Sequence, residues 1–135
     1  MQHVPKGFHT VTPYLNLEDA AAFVRFAEAA FGARILHVGK TPDGTIQHAE
    51  ISIEGSMIEL SEARPEWPAT RCALHVFVPD ADAAHARAVA AGATSTYPPA
   101  THPYGERSGS VQDRWGNQWF LATQVDPVAR NVANT

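Results

Sequence analysis

One cysteine, Cys72, occurs in 135 residues, so no internal disulfide can form and the fold must rest on packing. Cys72 lies in an apolar stretch, the setting of a buried thiol rather than a nucleophile. Basic residues are few: ten Lys plus Arg against fourteen Asp plus Glu, a net charge of −4, and no basic run. That balance excludes the electrostatic footprint of a nucleic-acid binder. Long apolar runs are missing too. Nothing approaches the ~20 residues needed to span a bilayer, and the start of the chain leads into no apolar signal core, so no membrane partner and a cytoplasmic location are expected.

What is present is an ordinary globular composition, 44% apolar, enough for one modest core. Residues 14–60 and 75–121 follow one plan at a shift of 61. Leu17-Glu18-Asp19-Ala20 answers Val78-Pro79-Asp80-Ala81, Gly55 answers Gly116, and Leu60 answers Leu121. This duplication predicts an α+β fold of two tandem modules, each strand, helix, then strands, with pseudo-two-fold symmetry and a cupped mixed sheet with helices outside. The expected organisation is a single domain over 1–135 with modules at about 8–62 and 71–124. A linker at 63–70 joins them, and a loose C-terminal tail covers 126–135. Neither module is expected to fold alone.

Residues 8–17 are β-branched and aromatic and read as a strand interrupted by Pro13. Asp19 can cap a helix over 19–31 in which Phe23, Phe26, Ala27, Ala30 and Phe31 recur at helical spacing. Strands over 35–38, 46–53 and 56–60 follow. Thr41-Pro42-Asp43-Gly44 is a turn signal, and Glu54-Gly55 is the two-residue connection of a hairpin. In the second module a strand is expected over 72–78, a helix over 80–91 with Ala81, Ala84, Ala88 and Ala91 inward, and a weakly marked strand at 94–97. The Pro-rich segment 98–106 reads as a loop of the kind that closes over a site, and it carries Tyr104. A hairpin of 110–113 and 118–123 turns through Arg114-Trp115-Gly116-Asn117.

Side chains alternate across a strand. With Ala49, Ile51, Ile53, Ile58 and Leu60 facing the helix, His48, Glu50 and Glu59 fall on the other face, and the Glu54-Gly55 turn sets Glu50 opposite Glu59. Opposed carboxylates are destabilising unless a metal ion, a cationic ligand, an arginine or a shared proton compensates, or unless the face is wet. The same parity gives Tyr14, His75, Phe77 and Phe120, a mixture suited to a small organic ligand with polar handles. Arg107 either balances the acids, grips an anionic ligand, or anchors the loop through a salt bridge. Trp119 has core parity. His3, His9, His37, His85 and His102 show no partner pattern and are expected at the surface.

Val11-Thr12-Pro13-Tyr14-Leu15, Gln47-His48-Ala49-Glu50, Leu74-His75-Val76-Phe77-Val78, Tyr104-Gly105-Glu106-Arg107-Ser108-Gly109 and the segment from Asp113 to Thr123 together resemble the glyoxalase/bleomycin-resistance/extradiol-dioxygenase (vicinal oxygen chelate) superfamily. The resemblance is closest to its PhnB-like branch and covers about 8–125. It implies βαβββ modules curled around a site and a homodimer. In the metal-dependent glyoxalases of this superfamily the ligand positions, carried over by motif, correspond to Thr12, Glu59, Ala73 and Phe120. Only Glu59 has a usual metal-binding side chain, so the usual metal site and any cofactor in it are expected to be absent.

Two functions remain open on the sequence. The first is a small-molecule-binding protein of the bleomycin-resistance type, holding its ligand through Tyr14, His48, Glu50, Glu59, His75, Phe77, Tyr104, Arg107 and Phe120. The second is a metal-dependent lyase, isomerase or dioxygenase with a divalent metal displaced to Glu59, His48 and His75, in which Glu59, His75 and Glu50 are the catalytic candidates. Whether the chain is an enzyme stays open.

Overall fold

Asp19 follows the first strand in the left-handed region, φ 61°, and its side chain accepts a hydrogen bond from Ala22 N at 3.2 Å. It thereby caps helix α1, Ala20–Phe31. Glu62 doubles the cap: its carboxylate accepts from Asp19 N at 2.8 Å and Ala20 N at 3.0 Å, at the positive end of the helix dipole. Gly32, also left-handed, closes the helix, with Gly32 N and Ala33 N donating to the carbonyls of Glu28 and Ala27. Phe23, Phe26, Ala27, Ala30 and Phe31 are all buried, as their spacing requires.

The computed structural model describes residues 2–129. They divide between Arg71 and Cys72 into two compact units. The first runs β1 (Tyr14–Leu17), α1, β2 (Arg34–Lys40), β3 (Ile46–Ile53) and β4 (Ser56–Glu62). Its four-stranded sheet has the order β1-β4-β3-β2, with β1 parallel to β4 and the remaining pairs antiparallel. Leu15, Leu17, Ala49, Ile51, Ile58 and Leu60 form its buried apolar side with the helix.

The second unit repeats the plan with β5 (Ala73–Phe77), α2 (Ala81–Ala90), β6 (Thr94–Thr101), β7 (Glu106–Gln112) and β8 (Gln118–Gln124), in the order β5-β8-β7-β6. Asp80 caps α2 by accepting from Ala83 N at 3.1 Å. Ala81 and Ala88 are fully inward, whereas Ala84 and Ala91 are half-buried. Two βαβββ units make the architecture α+β, as the duplication predicts.

Asp113 fastens the β7–β8 hairpin. Its Oδ1 accepts from Trp115 N and Asn117 N, and its Oδ2 from Asn117 Nδ2 and Trp119 Nε1. Asn117 Oδ1 then accepts from Cys72 N at 2.9 Å, tying the entry of β5 to the turn. Trp119 and Asn117 are wholly buried. Burial, then the nearby Asp113 charge, holds the Cys72 thiol above its ordinary pKa.

Several expected boundaries move. The first strand covers only Tyr14–Leu17, because Pro13 has no N–H for the ladder and contributes only its carbonyl, to Glu59 N. The loop expected over 98–106 is largely strand. β6 continues to Thr101, and its prolines fall at a register shift between Tyr97 and Ala100 on the sheet edge, where a missing donor costs no ladder bond. Only 102–105 turn. The expected linker carries the isolated bridge Arg64 to Trp67, and Thr70 is bonded to Asn16 of β1. Of the expected loose tail, 127–129 form a helical turn with Asp126 Oδ1 accepting from Val128 N and Ala129 N; the rest lies outside the described residues.

Candidate functional site

The Glu54-Gly55 turn carries two consecutive positive φ angles, 47° and 85°, the geometry that matches strand twist in a two-residue hairpin. It sets the β3–β4 register so that Glu50 stands opposite Glu59. β1 adds Tyr14 beside Glu59, and β2 adds His37 beside Glu50. One row, Tyr14, Glu59, Glu50, His37, therefore crosses the whole first sheet on the face away from α1.

His48 lies two residues along β3 and leans into that row. Its Nε2 is 3.1 Å from Glu50 Oε2 and 3.6 Å from Glu59 Oε1, and its Nδ1 is 3.2 Å from the Tyr14 hydroxyl. The arrangement is self-consistent for a neutral ring: Tyr14 O–H donates to Nδ1, and Nε2–H donates to Glu50. All three ionisable side chains are about 30% exposed, 33% for His48, 28% for Glu50 and 27% for Glu59, so a solute can reach them. Ligating atoms of His48, Glu50 and Glu59 lie within 4.8 Å of one another.

The metal positions carried over from the superfamily do not fit a metal. Thr12 lies before β1 with its hydroxyl donated to His9 O, and Ala73 and Phe120 bring no donor atom. Among the described residues, the group of three donors close enough to share a divalent ion is the displaced set His48, Glu50 and Glu59.

In the second unit the corresponding row is His75, Phe120, Ser110 and Tyr97. His75 packs against Phe77 with ring centroids 4.6 Å apart and against Phe120 at 6.4 Å. Its Nε2 is 3.4 Å from Oε1 of Glu106, a carboxylate almost entirely buried. Tyr104 stands in the 102–105 turn, half-exposed and stacked on His102 at 5.2 Å. Arg107 is committed to α2: its Nε and Nη2 reach Asp82 at 2.6 and 2.9 Å, and its Nη1 donates to Thr101. Of its open readings, this is the salt bridge. The Arg107 guanidinium holds the Asp82 carboxyl below the usual carboxylate range, chiefly by hydrogen bonding.

The sequence reading passed over two residues of these faces. His37 is exposed as expected, yet stands beside Glu50 with its ring 6.1 Å from that of His48. Glu106 ends the Pro-rich stretch 98–106 that reads as loop, and a loop position has no strand parity to point it toward His75.

The family model described as Glyoxalase/Bleomycin resistance protein/Dioxygenase superfamily matches residues 7–121. The Mycobacterium bovis protein Mb0911c is 32% identical over 129 residues, covering 87% of this chain and 85% of its own. A glyoxalase-related enzyme from Fulvimarina pelagi superposes with a TM-score of 0.69 at 23% identity, covering 89% of each chain. A PhnB protein from Bacillus cereus does so with a TM-score of 0.64 at 17% identity, covering 85% of this chain and 99% of its own. At such identities the two structures share the fold. Among the described residues no helix is long and apolar enough to cross a membrane.

Proposed function

Since the chain belongs to the Glyoxalase/Bleomycin resistance protein/Dioxygenase superfamily, a scaffold on which many chemistries are built, we propose that it binds a small organic cation on the β1–β4–β3 face and holds it without reaction. One observation carries this reading: Glu50 and Glu59 are opposed across β3 and β4 with one imidazole between them. With His48 neutral, the pair holds two negative charges at a spacing that favours an added cation. Tyr14, exposed on the same row, offers a ring for stacking or a cation–π contact. An amidinium or guanidinium on a flat apolar body matches both features, because its planar N–H fork pairs with carboxylate oxygens.

Calorimetry with benzamidine against its neutral analogue benzamide tests this. Benzamidine binds, benzamide does not, and Glu59→Gln weakens benzamidine at least about tenfold, the weight of ~1.4 kcal/mol for one charge-assisted contact. Equal binding of the two compounds, or indifference to the substitution, overturns the reading.

The convergence of three donor groups within 4.8 Å favours a second reading, a divalent metal held by His48, Glu50 and Glu59. Water would complete such a site, and the ion would act there as a Lewis acid toward an oxygen-bearing substrate in a lyase, isomerase or dioxygenase. The discriminating measurement is metal content of protein purified without a tag, together with the Tm change on adding Ni²⁺, Zn²⁺, Mn²⁺ or Fe²⁺. Near-stoichiometric metal or a Tm rise, lost in Glu59→Gln, favours the metal centre. No metal and no rise leave the cation site. A homodimer is the proposed assembly, with light scattering as its check.

A further inference from the structure

β2 is the outer strand of the first sheet: β3 covers one of its edges, and among the described residues no strand pairs with the other. In an antiparallel pair, residues that exchange hydrogen bonds alternate with residues that do not, and the pair closing a two-residue hairpin exchanges them. Ile53 and Ser56 are that pair, so Ile51 and Ala49 also bond to β4, and the backbones of Glu50 and His48 turn toward β2. There they meet His37 and Gly39. Thr41 N, two residues on, donates to Thr45 O at 2.9 Å. Val38 and Lys40 alternate with these residues and therefore aim N–H and C=O away from the sheet, at the spacing that an added strand reads.

Unpaired backbone along an edge strand is a template for another chain, and proteins commonly block it. The second sheet does so: its outer strand β6 contains Pro98 and Pro99, which bring no N–H. β2 contains no proline. Its one irregular residue is Leu36, at the shift between Ile35 and His37, and from His37 to Gly39 the ladder is regular.

Charge selects the occupant. β2 holds Arg34 and Lys40 at its two ends and no acid, in a chain whose net charge is −4. Both side chains are exposed, and neither has an ion-pair partner among the described residues. Glu50, the acid facing this strand across the ladder, is one strand inward and already 3.1 Å from His48. A second copy of β2 laid antiparallel brings Arg34 near Lys40, and laid parallel brings each residue near its own kind. Like charges so placed are destabilising, which disfavours pairing of the strand with itself. Acidic side chains are attracted at both ends. Ile35 and Leu36, 45% and 53% exposed, add apolar surface beside the edge.

We propose that β2 is a docking edge for an extended acidic segment of a partner protein, which adds a fifth strand to the four of the first sheet. Backbone hydrogen bonds at Val38 and Lys40 supply the pairing, and carboxylates near Arg34 and Lys40 supply the selection. The proposed homodimer then uses another surface. This assignment lies on the rim of the sheet and does not depend on the cation site of its face.

The probe is a blocked peptide with a pair of glutamates at each end of a threonine–valine stretch, titrated with the full chain and followed by fluorescence anisotropy. It binds saturably, and the same peptide with lysine for glutamate does not. Arg34→Gln and Lys40→Gln, changes at exposed side chains, each weaken binding about threefold. A version N-methylated at every residue keeps all its charges but has no N–H to pair, and it loses affinity at least about tenfold. Equal binding of the lysine peptide, equal binding of the methylated peptide, or indifference to both substitutions overturns the proposal. So does a wild-type chain that takes up no peptide. If that chain is also dimeric by light scattering, the edge belongs to a second copy.

Discussion

Glu50 and Glu59 face each other on adjacent antiparallel strands, and the imidazole of His48 lies 3.1 Å from one and 3.6 Å from the other. The first unit thus keeps two acids side by side with one imidazole as their polar neighbour. Stability and ligand affinity pull in opposite directions there, since the repulsion that weakens the empty face is what an incoming cation relieves.

This opposition yields the first prediction. Removing one charge, Glu59→Gln or Glu50→Gln, raises stability by about 0.5–1 kcal/mol at mildly alkaline pH, where like charges directly across a strand pair repel. Denaturant melts of wild type and variant at that pH give the answer. Destabilisation at alkaline pH would show that the two acids are held by something more than His48.

Asp113 predicts the opposite behaviour for a buried acid. Its two oxygens accept four N–H groups from Trp115, Asn117 and Trp119, and its residue is 4% exposed. Asp113→Ala leaves those donors unanswered in the interior and costs about 3 kcal/mol or more. Asn117 also holds Cys72 N, so the loss spreads to the entry of β5. Thiol alkylation is a sensitive readout: the Cys72 thiol, protonated and half-buried in the wild type, reacts slowly, and the variant reacts faster under identical conditions. Unchanged stability and unchanged alkylation would contradict the network.

The Asp82–Arg107 pair sets an acid dependence with a definite sign. The Asp82 carboxyl is held below its ordinary range by hydrogen bonding from Arg107. A folded-state value below the unfolded one gives stability that is present above the unfolded value and lost as pH falls through the folded one. Arg107 is raised by the same bond, and its share is lost only in strong alkali. Asp82→Asn therefore lowers Tm at neutral pH, and the two melting curves draw together only as pH falls below the ordinary carboxyl range and through the lowered Asp82 value. The gap is small, because the pair lies at the surface. A gap that stays constant from neutral to acid pH would assign the effect to packing instead.

How much of this was legible without coordinates depends on which signal each element carries. The α1 stripe was legible because five apolar residues at helical spacing have one way to be buried, and each of them is. The Glu50–Glu59 pair was legible because Glu-Gly in a two-residue turn sets the register of both flanking strands. His37 was not: β2 breaks its register between Ile35 and His37, and an extra residue there inverts the parity on which alternation depends. β6 was hidden by Pro98 and Pro99, which read as loop although an edge strand tolerates them. With β6 taken as loop, Glu106 lost its place on β7, and its relation to His75 was out of reach.

Ser110 supports the last prediction. It is wholly buried on β7, between Phe120 on one side and Tyr97 on the other in strand register, and its Oγ has no hydrogen-bond partner among the described residues. A buried hydroxyl that makes no bond carries its desolvation cost with nothing returned, on the order of 1–3 kcal/mol. Removing the hydroxyl leaves only a small void, so Ser110→Ala raises stability by about 1 kcal/mol, or about 3 degrees in Tm for a chain of this length. Ser110→Val is the contrasting change. It adds two methyl groups to a position with no open surface and destabilises through overpacking. If Ser110→Ala lowers Tm, the hydroxyl is bonded in solution, and an ordered water on this face becomes its partner.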